Sequence, residues 1–269
     1  MESDIFENSK EAFLDIVDSK DYVQLNAISP IYNILKTSVD KPLKMILLYG
    51  KPGTGKSMLL SKLYDDLSSS QKIFLYKIPI LDENEFYKLL AQDIFGINYS
   101  GELNFTQFMK VLQKHKTDEV PLVLLDEAQL YSDILMEKIR LLSDTRAIKF
   151  VITLHKTKEE DLIAKEHFQT RIWESIELKN ASTSQLKVYI QKKLMKANCL
   201  DSANMFQDKA IKLIHKLTNG NYRDTNKLLF TIFDIYTIYS KKNIDKISKN
   251  SISNKIIEMA AIHIGFIDA

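Results

Sequence analysis

Residues 45–57 read MILLYGKPGTGKS, an apolar run that leads into a glycine-rich segment. The run MILLY predicts a buried strand, and leucines recur at helical spacing from Leu59 to Leu67, which predicts a helix. Between them stand a glycine, four residues and Gly-Lys-Ser, so three of the chain's seven glycines lie close together. A strand, a glycine-rich turn and a helix in this order predict a loop that binds the phosphates of a nucleotide.

Each residue type in this loop has a physical reason. Glycines let the backbone turn its N–H groups toward the phosphates without a Cβ in the way. We expect the Lys56 ammonium to reach the β- and γ-phosphates and the Ser57 hydroxyl to coordinate Mg²⁺. A chance match in a glycine-rich turn is the alternative, and the flanking strand and helix argue against it. The predicted nucleotide-binding residues are Gly50, Lys51, Pro52, Gly53, Thr54, Gly55, Lys56, Ser57 and Met58.

A second apolar run, VPLVLL at residues 120–125, ends in Asp126-Glu127-Ala128-Gln129. A strand buried on both faces delivers side chains at its carboxyl end to the crevice where ligands of open α/β sheets bind. We expect Asp126 to hold Mg²⁺ and Glu127 to orient and polarise the attacking water. The alternative is an acidic cap of the next helix, and the phosphate loop upstream makes it the weaker interpretation.

Length and composition limit the function classes. At 269 residues the chain holds one α/β domain and a smaller helical unit, without room for the second lobe that helicases with Asp-Glu-Ala motifs need. No Asn-Lys-x-Asp occurs, so ATP is the expected nucleotide rather than GTP. The single cysteine excludes an internal disulfide, and the five histidines lack ligand spacing, so no zinc site is expected.

The N-terminal residues MESD are acidic, unlike a signal peptide, and no apolar run is long enough to span a membrane. We therefore expect a cytoplasmic protein without a transmembrane segment. Any association with the inner membrane would be peripheral and would depend on partners.

The charge is unevenly distributed along the chain. The formal net charge is only +2, yet fifteen Lys or Arg residues stand against five Asp or Glu residues between Lys179 and Lys255. This basic part predicts contact with DNA or with an acidic partner. Lysines that merely solvate exposed helix faces are the alternative.

Strands alternate with helices up to about residue 180, and the pattern beyond is helical. The strands predicted besides the first cover 72–78, 120–125, 148–154 and 175–178, which gives a parallel five-stranded sheet between helices. Predicted helices cover 11–16, 31–35, 83–94 and 105–115, and others begin near residues 182, 210, 223 and 253. The predicted domains are an N-terminal helical extension, 1–42, an αβα nucleotide-binding domain, 43–180, and an all-α lid, 181–269.

A sheet domain with both motifs and a helical lid resembles the AAA+ ATPases, and within them the ExeA/GspA type found beside type II secretion, type IV pilus and DNA-uptake systems. The resemblance covers about residues 22–239. Besides the two nucleotide motifs it rests on Thr170-Arg171-Ile172 and on Gly220-Asn221-Tyr222-Arg223 with Asn226 and Leu228-Leu229. It implies an α/β P-loop fold, ATP and Mg²⁺ as ligands, and a nucleotide-dependent homo-oligomer.

The resemblance also implies roles for residues outside the two motifs. Arg171 precedes the fifth strand, where AAA+ ATPases place an arginine finger that reaches a neighbouring subunit; a surface salt bridge is the alternative. Arg223 matches sensor 2, a lid arginine that binds phosphates. Sensor 1 stays open between His155, the positional match, and Thr153, the conservative chemical choice, because this strand end departs from the family's Gly-Gln-Pro-Glu. In P-loop ATPases with such an extension, the segment 22–28 would pack beside adenine.

Two functions follow from these expectations. The first is an Mg²⁺-dependent ATPase that drives assembly or DNA transport at a secretion, pilus or transformation system, with an envelope-machine protein as partner. The alternative is an ATP-switched DNA-binding scaffold of the transposition-regulator type, which the basic lid favours. A signalling module that binds ATP without turnover is disfavoured by Glu127.

Overall fold

The computed structural model describes residues 2–115, 119–155, 172–242, 248 and 250–268. The helices are α1 (Glu2–Glu11), α2 (Ser29–Asp40), α3 (Lys56–Leu67), α4 (Glu83–Phe95), α5 (Phe105–Lys114), α6 (Asp133–Asp144), α7 (Thr183–Lys196), α8 (Leu200–Asn204), α9 (Asp208–Thr218), α10 (Tyr222–Lys241) and α11 (Asn254–His263). The strands are β1 (Met45–Gly50), β2 (Ile73–Tyr76), β3 (Leu122–Leu125), β4 (Lys149–His155) and β5 (Ile172–Leu178).

The chain forms two compact units, a sheet unit of residues 30–178 and a helical unit that combines residues 1–29 with 179–269. The N-terminal residues therefore group with the C-terminal helices, whereas the sequence analysis places residues 1–42 in an extension of their own. The physical reason is packing. Helix α1 lies against α10, and Phe6 and Phe13 are buried in the apolar core of the helical unit.

The sheet unit contains five parallel strands in the order β2-β3-β4-β1-β5, which confirms the predicted α/β fold. All residues of β3 are buried, and those of β1 and β4 are nearly so. Strands covered on both faces have no solvent-facing side, which explains their continuous apolar runs. Because β4 lies between β1 and β3, the carboxyl ends of these three strands meet at one edge of the sheet.

Side-chain caps set the helix starts in the sheet unit. Asp82 accepts a hydrogen bond from the backbone N–H of Glu85 at the start of α4, and Asn104 and Gln107 form a capping box at α5. Helix α6, which the sequence analysis does not predict, begins after its N-cap Ser132 and buries an apolar face in the same core as β3. These caps and apolar faces hold the helices against the sheet.

The helical unit is built from α1 and α7 to α11. The helix predicted to begin near residue 182 is α7, and Ser182 and Gln185 form a capping box at its start. The predicted helix over 11–16 is wrong, because α1 ends at Glu11 and the apolar Leu14 and Ile16 behind that prediction are 42% and 56% exposed. Among the helices of the described ranges, none is both long and apolar enough to cross a membrane.

Candidate functional site

The predicted phosphate loop leaves β1 at Gly50, where only glycine fits. A Cβ at this position would collide with the backbone carbonyl oxygen of Leu178 on the neighbouring strand β5. Gly53 and Gly55 have φ angles of 77° and 95°, in the left-handed region that favours glycine. The hydroxyl of buried Thr54 donates to a carbonyl oxygen within the loop at 2.8 Å. The loop's own sequence therefore sets its shape.

The loop runs into the N-terminus of α3. Gly55 is the N-cap of this helix and brings no side chain to the first-turn amides. Such amides lack intrahelical partners and carry the positive end of the helix dipole, so they suit an anion. Lys56, Ser57 and Met58 form the first turn. The residues present thus fit the phosphates of a nucleotide, and Ser57, the expected Mg²⁺ ligand, stands in the first turn of the helix.

The Lys56 side chain folds back onto the loop. It is 5% exposed, and its ammonium donates to the carbonyl oxygens of Gly50 and Lys51 at 3.0 Å each. Both acceptors are neutral, and a charged phosphate oxygen is a stronger acceptor for an ammonium. Lys56 can therefore exchange backbone carbonyls for a phosphate without leaving the loop.

Thr153 joins the two acidic residues that follow β3. Its hydroxyl donates to Asp126 Oδ1 at 2.5 Å and accepts from the backbone N–H of Glu127 at 2.9 Å. Thr153 and Asp126 are both buried, at 0% and 5% exposure. The contact follows from the pairing of β3 with β4. It fixes the carboxylate expected to bind Mg²⁺ together with the backbone of the expected general base.

Glu127 has an unusual backbone for a residue with a side chain. Its φ of 50° lies in the left-handed region, and its N–H also donates to Asp126 Oδ1 at 3.0 Å. Strained conformations of this kind persist where surrounding contacts hold them, often at functional sites. The side chain is 38% exposed, so water can reach the Glu127 carboxylate.

His155 ends β4 and faces Glu127, with 3.8 Å between its Nε2 and Glu127 Oε1. Gln129 contacts this histidine twice. The amide nitrogen of Gln129 lies 3.3 Å from the ring Nδ1, and its amide oxygen accepts from the His155 backbone N–H at 3.3 Å. Both sensor 1 candidates, Thr153 and His155, thus contact the acidic segment after β3.

Two residues of this edge have no role in the sequence analysis. Gln129 follows the acidic pair in the quoted motif, but nothing in a single sequence indicates that its side chain turns toward β4. Tyr131 is buried, and burial raises its pKa to about 12. A neutral Tyr131 near Asp126 adds no charge to the site.

Among the described residues, no three His, Cys, Asp or Glu side chains form a group that could hold a metal ion. Mg²⁺ usually keeps several waters and binds through one or two protein oxygens plus substrate phosphates. Ser57 and Asp126 supply oxygens of that kind.

Arg223, the sensor 2 candidate, stands in the first turn of α10 in the helical unit. The N-cap Asn221 accepts from its backbone N–H at 3.1 Å, and its guanidinium Nε lies 3.3 Å from Asp15 Oδ2. Gly220 makes the preceding turn possible, because its φ is 70° and a Cβ would collide with the carbonyl oxygen of Ala181. The Arg223 side chain is 52% exposed, and its role toward phosphates stays a prediction.

Arg171, the arginine-finger candidate, lies outside the described residues. Its role in a neighbouring subunit's site therefore stays a prediction as well.

The segment 22–28, predicted to lie beside adenine, belongs to the helical unit. Lysines of α7 bind the backbone in and beside this segment. Lys192 donates to the carbonyl oxygen of Gln24 at 2.7 Å, and Lys196 donates to the carbonyl oxygen of Tyr22 at 3.1 Å. Two of the lysines that make the lid basic thus bind carbonyl oxygens within the helical unit.

Comparisons with known proteins agree with this fold. Residues 40–163 match the family model described as AAA domain. No curated protein sequence matches the chain. Among solved structures, Cdc6p from Pyrobaculum aerophilum is similar with a TM-score of 0.67 and 16% identity, over 95% of this chain and 71% of that one.

Two proteins from Aeropyrum pernix are also similar in fold. The ORC2 protein in its ADPNP–ADP complexes gives a TM-score of 0.63 at 12% identity, over 94% of this chain and 71% of that one. The ORC1 protein in complex with DNA gives 0.59 at 14% identity, over 95% and 69%. Residues 40–163 thus match the AAA domain model, and the parallel five-stranded sheet and the glycine-rich loop fit that match.

Proposed function

We propose that the chain binds ATP with Mg²⁺ and hydrolyses it to ADP and phosphate. The observation that carries this proposal is the Thr153 hydroxyl, which holds both Asp126 and the backbone of Glu127 at the edge where the phosphate loop also lies. A site for nucleotide binding alone would not need an exposed carboxylate on a fixed backbone next to a buried one. That pairing suits hydrolysis.

The residues divide the chemical work between them. The first-turn amides of α3 and the Lys56 ammonium bind the phosphates and stabilise negative charge on them. Ser57 and Asp126 hold Mg²⁺, which when bound neutralises charge on the β- and γ-phosphates. The Glu127 carboxylate orients a water and accepts its proton as that water attacks the terminal phosphorus.

Two substitutions test this proposal. Lys56→Ala should abolish tight ATP binding, because it removes the ammonium expected to bind the β- and γ-phosphates. Glu127→Gln should bind ATP and Mg²⁺ yet lose hydrolysis by about 10²- to 10⁴-fold, because an amide cannot accept the proton. The exposed Lys114→Ala and Glu102→Gln are matched controls in the same unit. Equal hydrolysis by the wild type and Glu127→Gln would refute the role of Glu127 as the base.

The proposed ATPase acts as a homo-oligomer in which Arg171 completes the neighbouring site. If so, Arg171→Ala should bind ATP normally and lose about 10³-fold or more of its turnover. Mixing Arg171→Ala with Lys56→Ala subunits should restore some hydrolysis, because one interface then combines an intact loop with an intact arginine. Activity that is independent of protein concentration, with no rescue on mixing, would place the whole site in one chain.

A second candidate function is an ATP-controlled DNA-binding protein. Lys209, Lys212 and Lys216 are exposed and recur at helical spacing on α9, so they form one basic stripe. The similarity to a protein solved in complex with DNA adds to this candidate. A stripe of lysines binds the phosphate backbone without reading sequence, and such binding weakens steeply with salt.

DNA titrations at several salt concentrations test the stripe. Changing Lys209, Lys212 and Lys216 to Gln should weaken DNA binding and flatten its salt dependence. Changing the exposed Lys41, Lys110 and Lys114 to Gln removes the same charge from the sheet unit and should have little effect. Equal losses in both triple variants would mean that net charge, not the stripe, drives binding.

The narrower role at a secretion, pilus or DNA-uptake system rests on the ExeA/GspA resemblance alone. An ATPase that does not bind DNA and is not stimulated by it would favour the secretion or pilus role and its envelope-machine partner. Hydrolysis that DNA stimulates in a salt-dependent way would favour the DNA-binding scaffold.

A further inference from the structure

The two contacts between Gln129 and His155 fix the orientation of the Gln129 amide. A backbone N–H can only donate, so the group that faces the His155 N–H at 3.3 Å must be the amide oxygen. The amide nitrogen then faces the ring Nδ1 at 3.3 Å. An amide NH₂ can only donate, so Nδ1 must be the acceptor.

This arrangement decides which ring nitrogen of His155 carries the proton. With Nδ1 as acceptor, the neutral imidazole has its proton on Nε2. Nε2 is the nitrogen that lies 3.8 Å from Glu127 Oε1. The ring therefore presents an N–H to the carboxylate of the expected general base, and a movement of about 1 Å makes a hydrogen bond.

Glu127 has a reason to need such a partner. Its backbone is held by Thr153 and Asp126, whereas its side chain is 38% exposed. A base that must hold one water needs its carboxylate in one orientation, and a backbone contact does not set the side-chain torsions.

We infer that Gln129 is a positioning residue: it holds His155 as an Nε2–H donor that orients the Glu127 carboxylate for hydrolysis. This inference rests on the proposed ATPase function. It assigns Gln129 no contact with ATP or Mg²⁺; Gln129 acts through His155. Its loss should therefore lower kcat and leave the KM for ATP unchanged.

Two variants separate the contacts. Gln129→Glu keeps an oxygen acceptor for the His155 N–H and replaces the NH₂ donor by a second acceptor, so Nδ1 should become protonated. Gln129→Met removes both contacts at similar side-chain length. Gln113→Glu is the matched control for charge, because Gln113 is exposed on α5.

The experiment combines ring ¹⁵N NMR with steady-state kinetics on the full chain. His155→Gln assigns the His155 signals among the five histidines. In mildly alkaline buffer the wild-type ring should show the Nε2–H tautomer, and Gln129→Glu should show a protonated Nδ1. Both Gln129 variants should lose about tenfold in kcat, as for one hydrogen bond, with ATP affinity unchanged. Gln113→Glu should match the wild type.

The outcomes distinguish the inference from the function on which it rests. A wild-type ring with the proton on Nδ1 overturns the inference even if hydrolysis is normal. A shifted tautomer in Gln129→Glu with unchanged kcat also overturns it. A wild type that binds ATP without hydrolysing it overturns the proposed function whatever the tautomer.

Discussion

The sheet edge and the helical unit differ in how deeply their polar side chains are buried. At the sheet edge Lys56, Asp126 and Thr153 are buried within the candidate nucleotide site. In the helical unit Lys192 and Lys196 are exposed, yet they bind carbonyl oxygens of the same unit. Chemical type thus agrees with the geometry of the candidate site at the sheet edge, whereas in the helical unit it does not predict which contacts the lysines make.

The cause lies in how each architecture places residues. In a parallel sheet the residue after each strand arrives at the same edge, so position along the chain fixes position in space. On a helix, a lysine can lie along a neighbouring segment or face solvent, and packing decides between them. Substitutions in the two regions test this difference.

The first prediction concerns the glycine on which each region depends. Gly50→Ala and Gly220→Ala should each lower the free energy of unfolding by about 3 kcal/mol or more, because each Cβ would collide with a backbone carbonyl oxygen. Amide exchange read by mass spectrometry reports local stability. Gly50→Ala should speed exchange in β1 and β4, and Gly220→Ala in α7 and α10.

Gly101→Ala is the control for both glycine variants. A Cβ there meets nothing within 4 Å, so we expect a change within about 0.5 kcal/mol. If Gly50→Ala and Gly220→Ala speed exchange in the same segments, the two regions unfold together and the comparison between them fails.

The sequence alone predicts the sheet well because its signals are local. Buried strands leave continuous apolar runs, and the glycine spacing marks the loop between β1 and α3. The order of the strands has no such signal. That β4 lies between β1 and β3, and so brings Thr153 to Asp126, depends on how the connections cross the sheet.

The helical unit shows where local signals run out. The apolar residues of 11–16 suggest a helix, but the helix that forms is Glu2–Glu11, in which Phe6 and Ser9 are buried, and of the later apolar residues Phe13 is buried while Leu14 and Ile16 are exposed. The grouping of the N-terminal residues with the C-terminal helices depends on contacts far apart in the chain. The contact of Gln129 could not be predicted from the sequence for the same reason, since His155, which it contacts, lies far away in the chain at the end of β4.

The second prediction compares two buried threonines, each of which donates one hydrogen bond and accepts another. Thr153→Val should lower kcat by about 10- to 100-fold, because Asp126 loses a charge-assisted bond and Glu127 a backbone partner. Thr218→Val, in the helical unit, removes bonds to Ile214 and Thr225. It should lower stability and leave kcat unchanged in steady-state assays. Equal kcat in the two variants would show that Thr153 is only a packing residue.

The third and smallest effect separates the two kinds of lysine in the helical unit. Lys196→Met should lower the free energy of unfolding by about 1 kcal/mol. It should also speed amide exchange near residues 20–24, because the Lys196 ammonium binds backbone carbonyls there. Lys216→Met on the exposed stripe should change stability by less than about 0.5 kcal/mol. DNA binding should show the reverse, with a loss in Lys216→Met and little change in Lys196→Met. The same ranking of the two variants in stability and in DNA binding would mean that lysines bound to the backbone and lysines facing solvent do not differ in function.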